Sequence, residues 1–351
     1  MSRQVKPGYA RALDIRRGRV DLSHGGGGRA MVQLIRELFA RHLGNAYLEQ
    51  GNDGTVLPPL PGRLVVTTDS HVVSPLFFPG GDIGCLAVHG TVNDLAVMGA
   101  RPLWLTAGFI LEEGFPLADL DRIAASMARA CREAGVQLVA GDTKVVERGK
   151  GDGVFITTSG IGVVAESCTL SGAAARPGDA VLLSGTLGDH GMAIMSQREN
   201  LGFDTPIHSD TAALNGLTAL MMQHADGAIR LMRDPTRGGL AATLNEIADQ
   251  SGVGVLLDET MIPLRPEVEA ACELLGLDPL NVANEGKLVA VCDAALAPTL
   301  VQRMRTHPLG REAARIGTVI ADSHHFVQMQ TRLGGRRMVD WLSGEQLPRI
   351  C

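Results

Sequence analysis

The stretch Arg63–Leu111, RLVVTTDSHVVSPLFFPGGDIGCLAVHGTVNDLAVMGARPLWLTAGFIL, decides the fold. It opens with RLVVTT, a β-branched run that predicts a strand. After an irregular segment, the apolar spacing of CLAVHGTVNDLAVMG predicts a helix from near Asp82 to a stop at Gly99. The run PLWLTAGFIL predicts the next strand. Strand, helix and strand in this order are typical of a mixed α/β chain.

The same alternation continues in both directions along the chain. An amphipathic helix is predicted from Leu117 to Ala134, closed by Gly135, and strands are predicted at VQLVAGDT and GVFITTSGIGVV. The turn-rich string SGAAARPGDAVLLSG predicts a domain boundary near 167–178. Beyond it, helices are expected on both sides of a DPTRGG turn, and strands at VGVLL, KLVAVC, RIGTVI and FVQMQT.

The sequence therefore predicts the α+β class, with two α/β domains. We divide the chain into an N-terminal segment with a glycine-rich loop (1–45), an N-terminal domain (46–167), a C-terminal α/β domain (168–331) and a flexible tail (332–351). A length of 351 residues agrees with two domains, because one hydrophobic core seldom holds so many.

Composition excludes several classes of protein. An apolar fraction of 45% and a charged fraction of 20% exclude a disordered chain. A net charge of -6, with only two Trp, two Tyr and eight Phe, argues against nucleic acid as a partner. No apolar run reaches the roughly 18 residues that span a bilayer, and the first residues do not resemble a secretory leader. We expect no membrane partner and a cytoplasmic location.

The six cysteines are scattered and form no CxxC pair, so neither a zinc ribbon nor a disulfide framework is indicated. Five of them lie in apolar segments and are expected to be buried, reduced thiols. Cys351 differs, because it is the last residue of the sequence, in the string PRIC.

Four aspartates follow predicted strands or lie in small-residue contexts: Asp69, Asp94, Asp142 and Asp234. Any one of them can be a helix cap or a turn residue. Together they favour a Mg²⁺ site, since Mg²⁺ is bound by a few carboxylate oxygens together with phosphate.

Two glycine-rich junctions offer free backbone amides to phosphate. The first is Gly25, Gly26, Gly27 and Gly28, which precede the apolar-periodic segment AMVQLIRELF; the alternative is a flexible linker. The second is Thr236, Arg237, Gly238 and Gly239, where Arg237 is able to pair with a phosphate; the alternative is an ordinary helix start. We also assign Asn93, next to Asp94, to the nucleotide site.

Two charged residues are candidates for chemistry. Lys144 lies two residues after Asp142, so on a strand the two side chains share a face. Glu285 lies in a predicted NEGK turn, where a glutamate is usually solvated. Sequence alone leaves open whether either one is catalytic.

Taken together, DLSHGGGGRAMVQLI, TTDSHVV, FPGGDIG, HGTVNDLAVMGA, GDTKVVE, DPTRGG, NEGK and the terminal PRIC resemble the HypE family of hydrogenase maturation proteins, from about Asp21 to Cys351. That family is similar to aminoimidazole ribonucleotide synthetase, selenophosphate synthetase and thiamine-monophosphate kinase. The resemblance implies that the N-terminal domain pairs with its copy in a homodimeric β-barrel, with ATP near the interface.

The resemblance further implies that Cys351 receives a carbamoyl group from the carbamoyltransferase HypF. ATP-dependent dehydration then gives S-cyanocysteine, and cyanide passes to iron on the HypC and HypD complex. With this family in view, Glu285 is a candidate base and Lys144 a candidate stabiliser of the oxygen; which of the two is the base stays open. The alternatives are a kinase or synthetase acting on a small metabolite, and a carrier protein without enzymatic activity.

Overall fold

The N-terminal half is built on one sheet with helices against one of its faces. The computed structural model of the protein describes residues 12–26, 28–50, 54–199, 207–225, 227–342 and 349–351. The elements of this half are α1 (Arg29–Leu34), a π-helical stretch (Ile35–Phe39), α2 (Ala40–Leu43), β1 (Arg63–His71), β2 (Phe77–Phe78), β3 (Gly81–Asp82), α3 (Ile83–Val97), β4 (Arg101–Glu112), α4 (Leu117–Ala134), β5 (Gln137–Val146) and β6 (Val154–Val164).

The four long strands form a sheet in the order β1-β6-β4-β5, antiparallel except for the parallel pair β4 and β5. Residues alternate along each strand, so one face of the sheet packs on α3 and the other is free. On the free face, Leu64 and Val66 of β1 are 62% and 67% exposed. The part of this face around Leu64 and Val66 is apolar and uncovered within one chain.

Helix α3 is the buried centre of the N-terminal half. Its N-cap Asp82 accepts hydrogen bonds from the amides of Gly84 (2.8 Å) and Cys85 (3.2 Å), which fixes where the helix begins. All but one of its fifteen residues are buried, between β1, β6, α4 and the C-terminal half. A helix that is buried all round requires apolar and small residues on every side, as the sequence CLAVHGTVNDLAVMG provides.

The C-terminal half is a larger sheet with helices packed against it. Its elements are β7 (Ala180–Leu183), α5 (Asp189–Arg198), α6 (Asn215–Gln223), β8 (Ile229–Arg233), α7 (Gly239–Ser251), β9 (Gly254–Asp258), α8 (Pro266–Leu275), β10 (Val289–Cys292), α9 (Ala297–Arg305), β11 (Ala314–Ile320), β12 (Val327–Gln330) and β13 (Arg336–Met338). The strand order is β13-β12-β9-β11-β7-β10-β8, and only β12 and β9 are parallel.

The structure corrects three expectations. The element directly before the DPTRGG turn is strand β8 rather than a helix, because its alternating residues pair with β10. The predicted tail begins too early, since β13 pairs with β12 and Val339 is buried in the core. Cys168 is partly exposed, whereas the other four internal cysteines are buried as expected.

The barrel of two copies stays a prediction, because the sheet of one chain is open. Within the described ranges, no helix combines the length and the apolarity needed to cross a bilayer.

Candidate active site

Three of the four predicted aspartates converge where the two halves meet. Asp69 lies on β1, Asp94 on α3 and Asp234 in the loop after β8; the hydroxyl of Thr67 donates a hydrogen bond to Asp94 Oδ2 over 2.7 Å. Burial and the nearby Asp69 raise the pKa of Asp94, and burial together with Asp94 raises the pKa of Asp234 to about 7. The carboxylates are therefore close enough to repel one another.

The pKa of Asp69 shifts in the opposite direction to those of Asp94 and Asp234. Burial acts to raise its pKa, but the ring of His71, with Nε2 3.3 Å from Oδ2 of Asp69, outweighs burial, and the net effect is a lowered pKa. Asp69 therefore carries a negative charge at neutral pH and lies beside two carboxyl groups that ionise less readily.

These carboxylates do not by themselves form a cage for a metal ion. Among the residues that the structure describes, no group of three or more His, Cys, Asp and Glu side chains could hold one. The repulsion among Asp69, Asp94 and Asp234 nevertheless fits a cation that takes its remaining ligands from phosphate and water, as Mg²⁺ does.

The fourth aspartate, Asp142, lies elsewhere in the chain. On β5 it pairs with Lys144, whose Nζ is 2.7 Å from Oδ2 of Asp142, so the two share a face as predicted. Asp142 alternates with buried Thr143 and therefore faces away from α3, on the side of the sheet opposite to Asp69. Three strand spacings separate β1 from β5, about 14 Å. Within one chain, neither Asp142 nor Lys144 joins the aspartate cluster.

The first glycine run lies beside β5. Residues Leu22–Gly25 form a short 3₁₀ turn, and Gly25 packs so closely on β5 that a Cβ there would lie 2.6 Å from the amide nitrogen of Val145. Gly28 is the N-cap of α1, so the run precedes a helix as predicted. Gly27 lies outside the described residues.

A cavity of about 460 Å³ opens next to this run, between α1, α2 and β5. Its lining includes Phe39, Tyr47, Phe109, Leu138, Gly141 and Asp142. An apolar, partly aromatic cavity with a carboxylate at its rim has the size and the character of a small-ligand site.

The second glycine junction opens α7. Gly238, the N-cap, and Gly239 both have positive φ, at 77° and 61°. The amide of Thr236 donates to the carbonyl of Asp234 over 3.0 Å, and the positive charge of Arg237 acts on both Asp69 and Cys351. This junction, unlike the first, belongs to the aspartate cluster.

Asn93, assigned to the nucleotide site from the sequence, is bound to neighbouring backbone groups in this structure. Its Nδ2 donates to the carbonyls of Ala212 (3.0 Å) and Glu285 (3.2 Å), and its Oδ1 accepts from the amide of Leu214. These hydrogen bonds tie α3 to the turn that carries Glu285.

Glu285 is held by residues that the sequence analysis missed. Asp210 accepts hydrogen bonds from the amides of Glu285 and Gly286, each over 3.1 Å, and from Nζ of Lys287 over 3.0 Å. Asn284 donates to the carbonyl of Pro235 over 2.9 Å, which joins this turn to the Asp234 loop. The adjacency of Asn284 and Lys287 to Glu285 in NEGK was the only sequence signal for these roles.

The side chain of Glu285 points to Cys351. Burial and the charges of Asp210, Asp69 and Asp234 raise the pKa of Glu285 well above its usual value, while the neighbouring Cys351 thiol acts in the opposite direction. Burial and Glu285 raise the pKa of the thiol, against the effect of Arg237. Oε1 of Glu285 is buried and has no hydrogen-bond partner among the residues described.

The end of the chain is docked on the segment after β1. The amide of Val72 donates to the carbonyl of Cys351 and the amide of Ser74 to that of Arg349, each over 3.1 Å. The side chain of Ile350 is 3% exposed and packs in the core of the N-terminal half. Three of the predicted site elements, Cys351, Glu285 and the aspartate cluster, therefore meet in one place.

The chain matches the profiles of AIR synthase related proteins, the N-terminal domain over residues 51–164 and the C-terminal domain over 176–330. It is 66% identical to the carbamoyl dehydratase HypE of Cupriavidus necator over 352 aligned residues, with all of both chains covered. A solved structure of the hydrogenase maturation protein HypE in complex with ATP superposes with a TM-score of 0.90 at 50% identity, covering 94% of this chain and 99% of that one. In a HypE–HypF complex, the matching chain is 51% identical with a TM-score of 0.78, and 88% of this chain and 99% of that one are covered.

The fold and the two profiles define an AIR synthase related protein. Within that class, the chain belongs to the carbamoyl dehydratase HypE family, as its identity to the Cupriavidus necator protein over the full length shows.

Proposed function

We propose that this protein dehydrates a carbamoyl group carried on the sulfur of Cys351 to a thiocyanate, with ATP as the co-substrate, and so supplies cyanide for the iron of nickel-iron hydrogenases. One observation carries the proposal. The Cys351 thiol lies next to the carboxyl group of Glu285, where each affects the pKa of the other and where the charges of Asp69 and Arg237 also act. A group attached to that sulfur would lie between a proton acceptor and the aspartate cluster.

The chemistry explains why these residue types are needed. Bound ATP supplies a phosphoryl group that turns the carbamoyl oxygen into a leaving group. Two protons leave the nitrogen and the carbon–oxygen bond breaks, so thiocarbamate becomes thiocyanate while phosphate and ADP are released. Such a reaction depends on positioning and charge neutralisation more than on a nucleophilic side chain.

Glu285 is the proposed base. Its pKa is raised by burial and by three neighbouring carboxylates, which is the direction expected of a group that exchanges protons near neutral pH. Its backbone is fixed by Asp210, so its position does not depend on its own side-chain contacts. The charge of Arg237 acts on Cys351, and we assign this side chain to the developing negative charge.

We propose Mg²⁺ as the cation at Asp69, Asp94 and Asp234, with the phosphates as further ligands. The cavity beside Phe39 and Tyr47 is the proposed site for the adenine ring. Asp142 and Lys144 lie at the rim of this cavity or next to it, and not at the aspartate cluster of the same chain.

A homodimer would explain how residues beside the cavity, such as Lys144, serve an aspartate cluster that they do not reach within one chain. The exposed apolar face of the N-terminal sheet is the surface expected to meet its copy in the predicted barrel. A second chain would bring further residues toward each site, and we propose that Lys144 acts there, on the oxygen that gains charge. The complex of a relative with HypF supports the same carbamoyltransferase as a partner of this protein. The HypC and HypD complex is the proposed acceptor of cyanide, and the cytoplasm the proposed location.

Intact-mass spectrometry tests the proposal. Wild-type protein with a carbamoyl donor, the carbamoyltransferase and ATP is expected to gain one carbamoyl group and then to lose one water. The Cys351→Ser variant is expected to bind ATP normally and to gain nothing, and Cys168→Ser, at the partly exposed internal cysteine, is expected to behave as wild type. Carbamoylation of the Cys351→Ser variant, or no ATP-dependent loss of water from the wild type, would reject the proposal.

A further inference from the structure

The last three residues are bound through their backbone as well as through the side chains of Ile350 and Arg349, the latter donating to the Val72 carbonyl and pairing with Asp152. All three carbonyl oxygens accept hydrogen bonds: that of Cys351 from the Val72 amide, that of Arg349 from the Ser74 amide and from Nη2 of Arg198, and that of Ile350 from Nε2 of His190, over 2.8 Å. A peptide whose carbonyls are all satisfied is fixed in register against the segment that binds it.

Two of these donors are side chains of α5 in the C-terminal half. Arg198 also donates through Nε to the carbonyl of Ser74 over 2.5 Å, so its planar group bridges the tail and the segment on which the tail lies. Nδ1 of His190 lies 2.7 Å from the hydroxyl of Ser209. With Ser209 as donor to Nδ1, the neutral ring has its proton on Nε2 and donates it to Ile350.

The register decides which side chain faces the site. Ile350 inserts into the apolar core while Cys351 lies next to Glu285. A shift of one residue along the Val72–Ser74 segment would remove the sulfur from its place at the carboxyl group. Docking in this register is therefore a requirement of the dehydration step and not of loading, which takes place on another protein.

We propose that Arg198 and His190 are positioning residues: they hold the tail by its carbonyls and so set the fraction of molecules in which Cys351 lies at Glu285. Neither residue touches the sulfur. This inference rests on the proposed function for its kinetic consequence, but the docking equilibrium is measurable without it.

The variants are Arg198→Met, His190→Leu and the conservative His190→Gln, which keeps a donor near the position of Nε2. Exposed Arg303 on α9 provides the control Arg303→Met. Two rates are measured for each protein. One is the alkylation of Cys351 by iodoacetamide in the folded protein, read by peptide mass spectrometry relative to partly exposed Cys168. The other is the single-turnover loss of water from carbamoylated protein at saturating ATP.

Loss of a charged donor is expected to lower the docking equilibrium constant roughly tenfold. For Arg198→Met we therefore expect Cys351 alkylation to become faster and dehydration slower, with the two changes multiplying to about tenfold, and with loading undiminished. His190→Leu should change both rates in the same directions, and His190→Gln should restore them toward wild type.

An unchanged ratio of Cys351 to Cys168 alkylation in both Arg198→Met and His190→Leu would overturn the inference. So would a parallel loss of loading and dehydration in these variants, since this would indicate general damage to the fold. If wild-type protein loads but never loses water, the proposed function fails, whereas the alkylation measurements still decide whether the two residues hold the tail.

Discussion

Gly90 of α3 lies against Asp69: a Cβ added at Gly90 would stand 2.9 Å from Oδ2 of Asp69 and 3.0 Å from Nε2 of His71. Helix α3 therefore approaches β1 so closely that it restricts the positions of the Asp69 and His71 side chains. Since Asp69 is the aspartate whose pKa is lowered, this contact fixes the most readily ionised member of the cluster.

Gly90→Ala should accordingly displace Asp69 and His71. We expect at least a tenfold loss of Mg²⁺-dependent ATP hydrolysis, because a shift of about 1 Å at a positioned group costs far more than its change in contacts suggests. Gly335→Ala is the matched control, since its Cβ would meet only Thr331 Oγ1, at 3.4 Å. Equal hydrolysis by Gly90→Ala and wild type would show that Asp69 does not serve the nucleotide.

Replacing Asp69 or Asp94 tests the proposed cation site more directly. Asp69→Ala and Asp94→Ala are each expected to abolish Mg²⁺-dependent ATP hydrolysis, measured by phosphate release. Asp249 on α7, whose side chain is 80% exposed, provides the control Asp249→Ala. Unchanged turnover in both cluster variants would remove the cation from this location.

Glu285→Gln should separate the two stages of the reaction. The variant keeps the backbone hydrogen bonds to Asp210 but loses the proton acceptor, so we expect dehydration to fall by about a hundredfold or more while Cys351 is still carbamoylated. Mass spectrometry of the loaded protein reads both stages. Glu273→Gln, at an exposed position of α8, is the control. Normal dehydration by Glu285→Gln would return Lys144 as the candidate base.

Stability should depend on pH through Asp234. Its pKa is about 7 in the folded protein, against 3.8 for an ordinary aspartate. Between these pH values the folded protein keeps a proton on Asp234 that the unfolded chain has lost, so the free energy of unfolding falls as the pH rises through this window. Asp234→Asn removes this loss. We expect no gain in stability at pH 3.5, a gain that grows up to pH 7, and a plateau of the order of 1–4 kcal/mol above it, measured by denaturant unfolding. A gain of equal size at all pH values would contradict the assignment.

The proposed dimer has its own test. Val66→Asp places a charge on the exposed face of the N-terminal sheet, and sedimentation analysis is expected to show monomers with an unchanged far-UV circular dichroism spectrum. Val56→Asp changes a residue that is also exposed but lies before β1. Dimers of Val66→Asp as stable as those of Val56→Asp would exclude this face as the interface.

Local signals explain which parts of the fold were predictable. The bounds of α3 and α4 follow from Asp82 and Gly135, which cap the helices through contacts within a few residues. Strand β13 escaped prediction because it has only three residues, two of them arginines after a Gly-Gly pair, and such a segment lacks the apolar alternation of a strand although it pairs with the neighbouring β12.

The residues of the site were likewise predictable only where a local sequence signal marks them. Strand-end aspartates were grouped correctly except for Asp142, because a strand end does not tell which face a side chain takes. Asp210 and Lys287 were missed, since Asp210 is separated by 75 residues from the Glu285 amide that it accepts from. A short polar segment without periodicity gives no hint of such a contact.

Recognition of the tail through its main chain has a practical consequence. Apart from the Ile350 anchor and the Arg349 side chain, which donates to the Val72 carbonyl and pairs with Asp152, the docking contacts are made by the main chain of the tail, so a synthetic peptide ending in Arg-Ile-Cys should occupy the same groove of a truncated protein. The covalent link then adds an effective concentration of the tail at its groove. Carrier and catalyst are then separable molecules, and S-carbamoyl peptides made by chemical synthesis become soluble substrates whose turnover can be followed without any transferase.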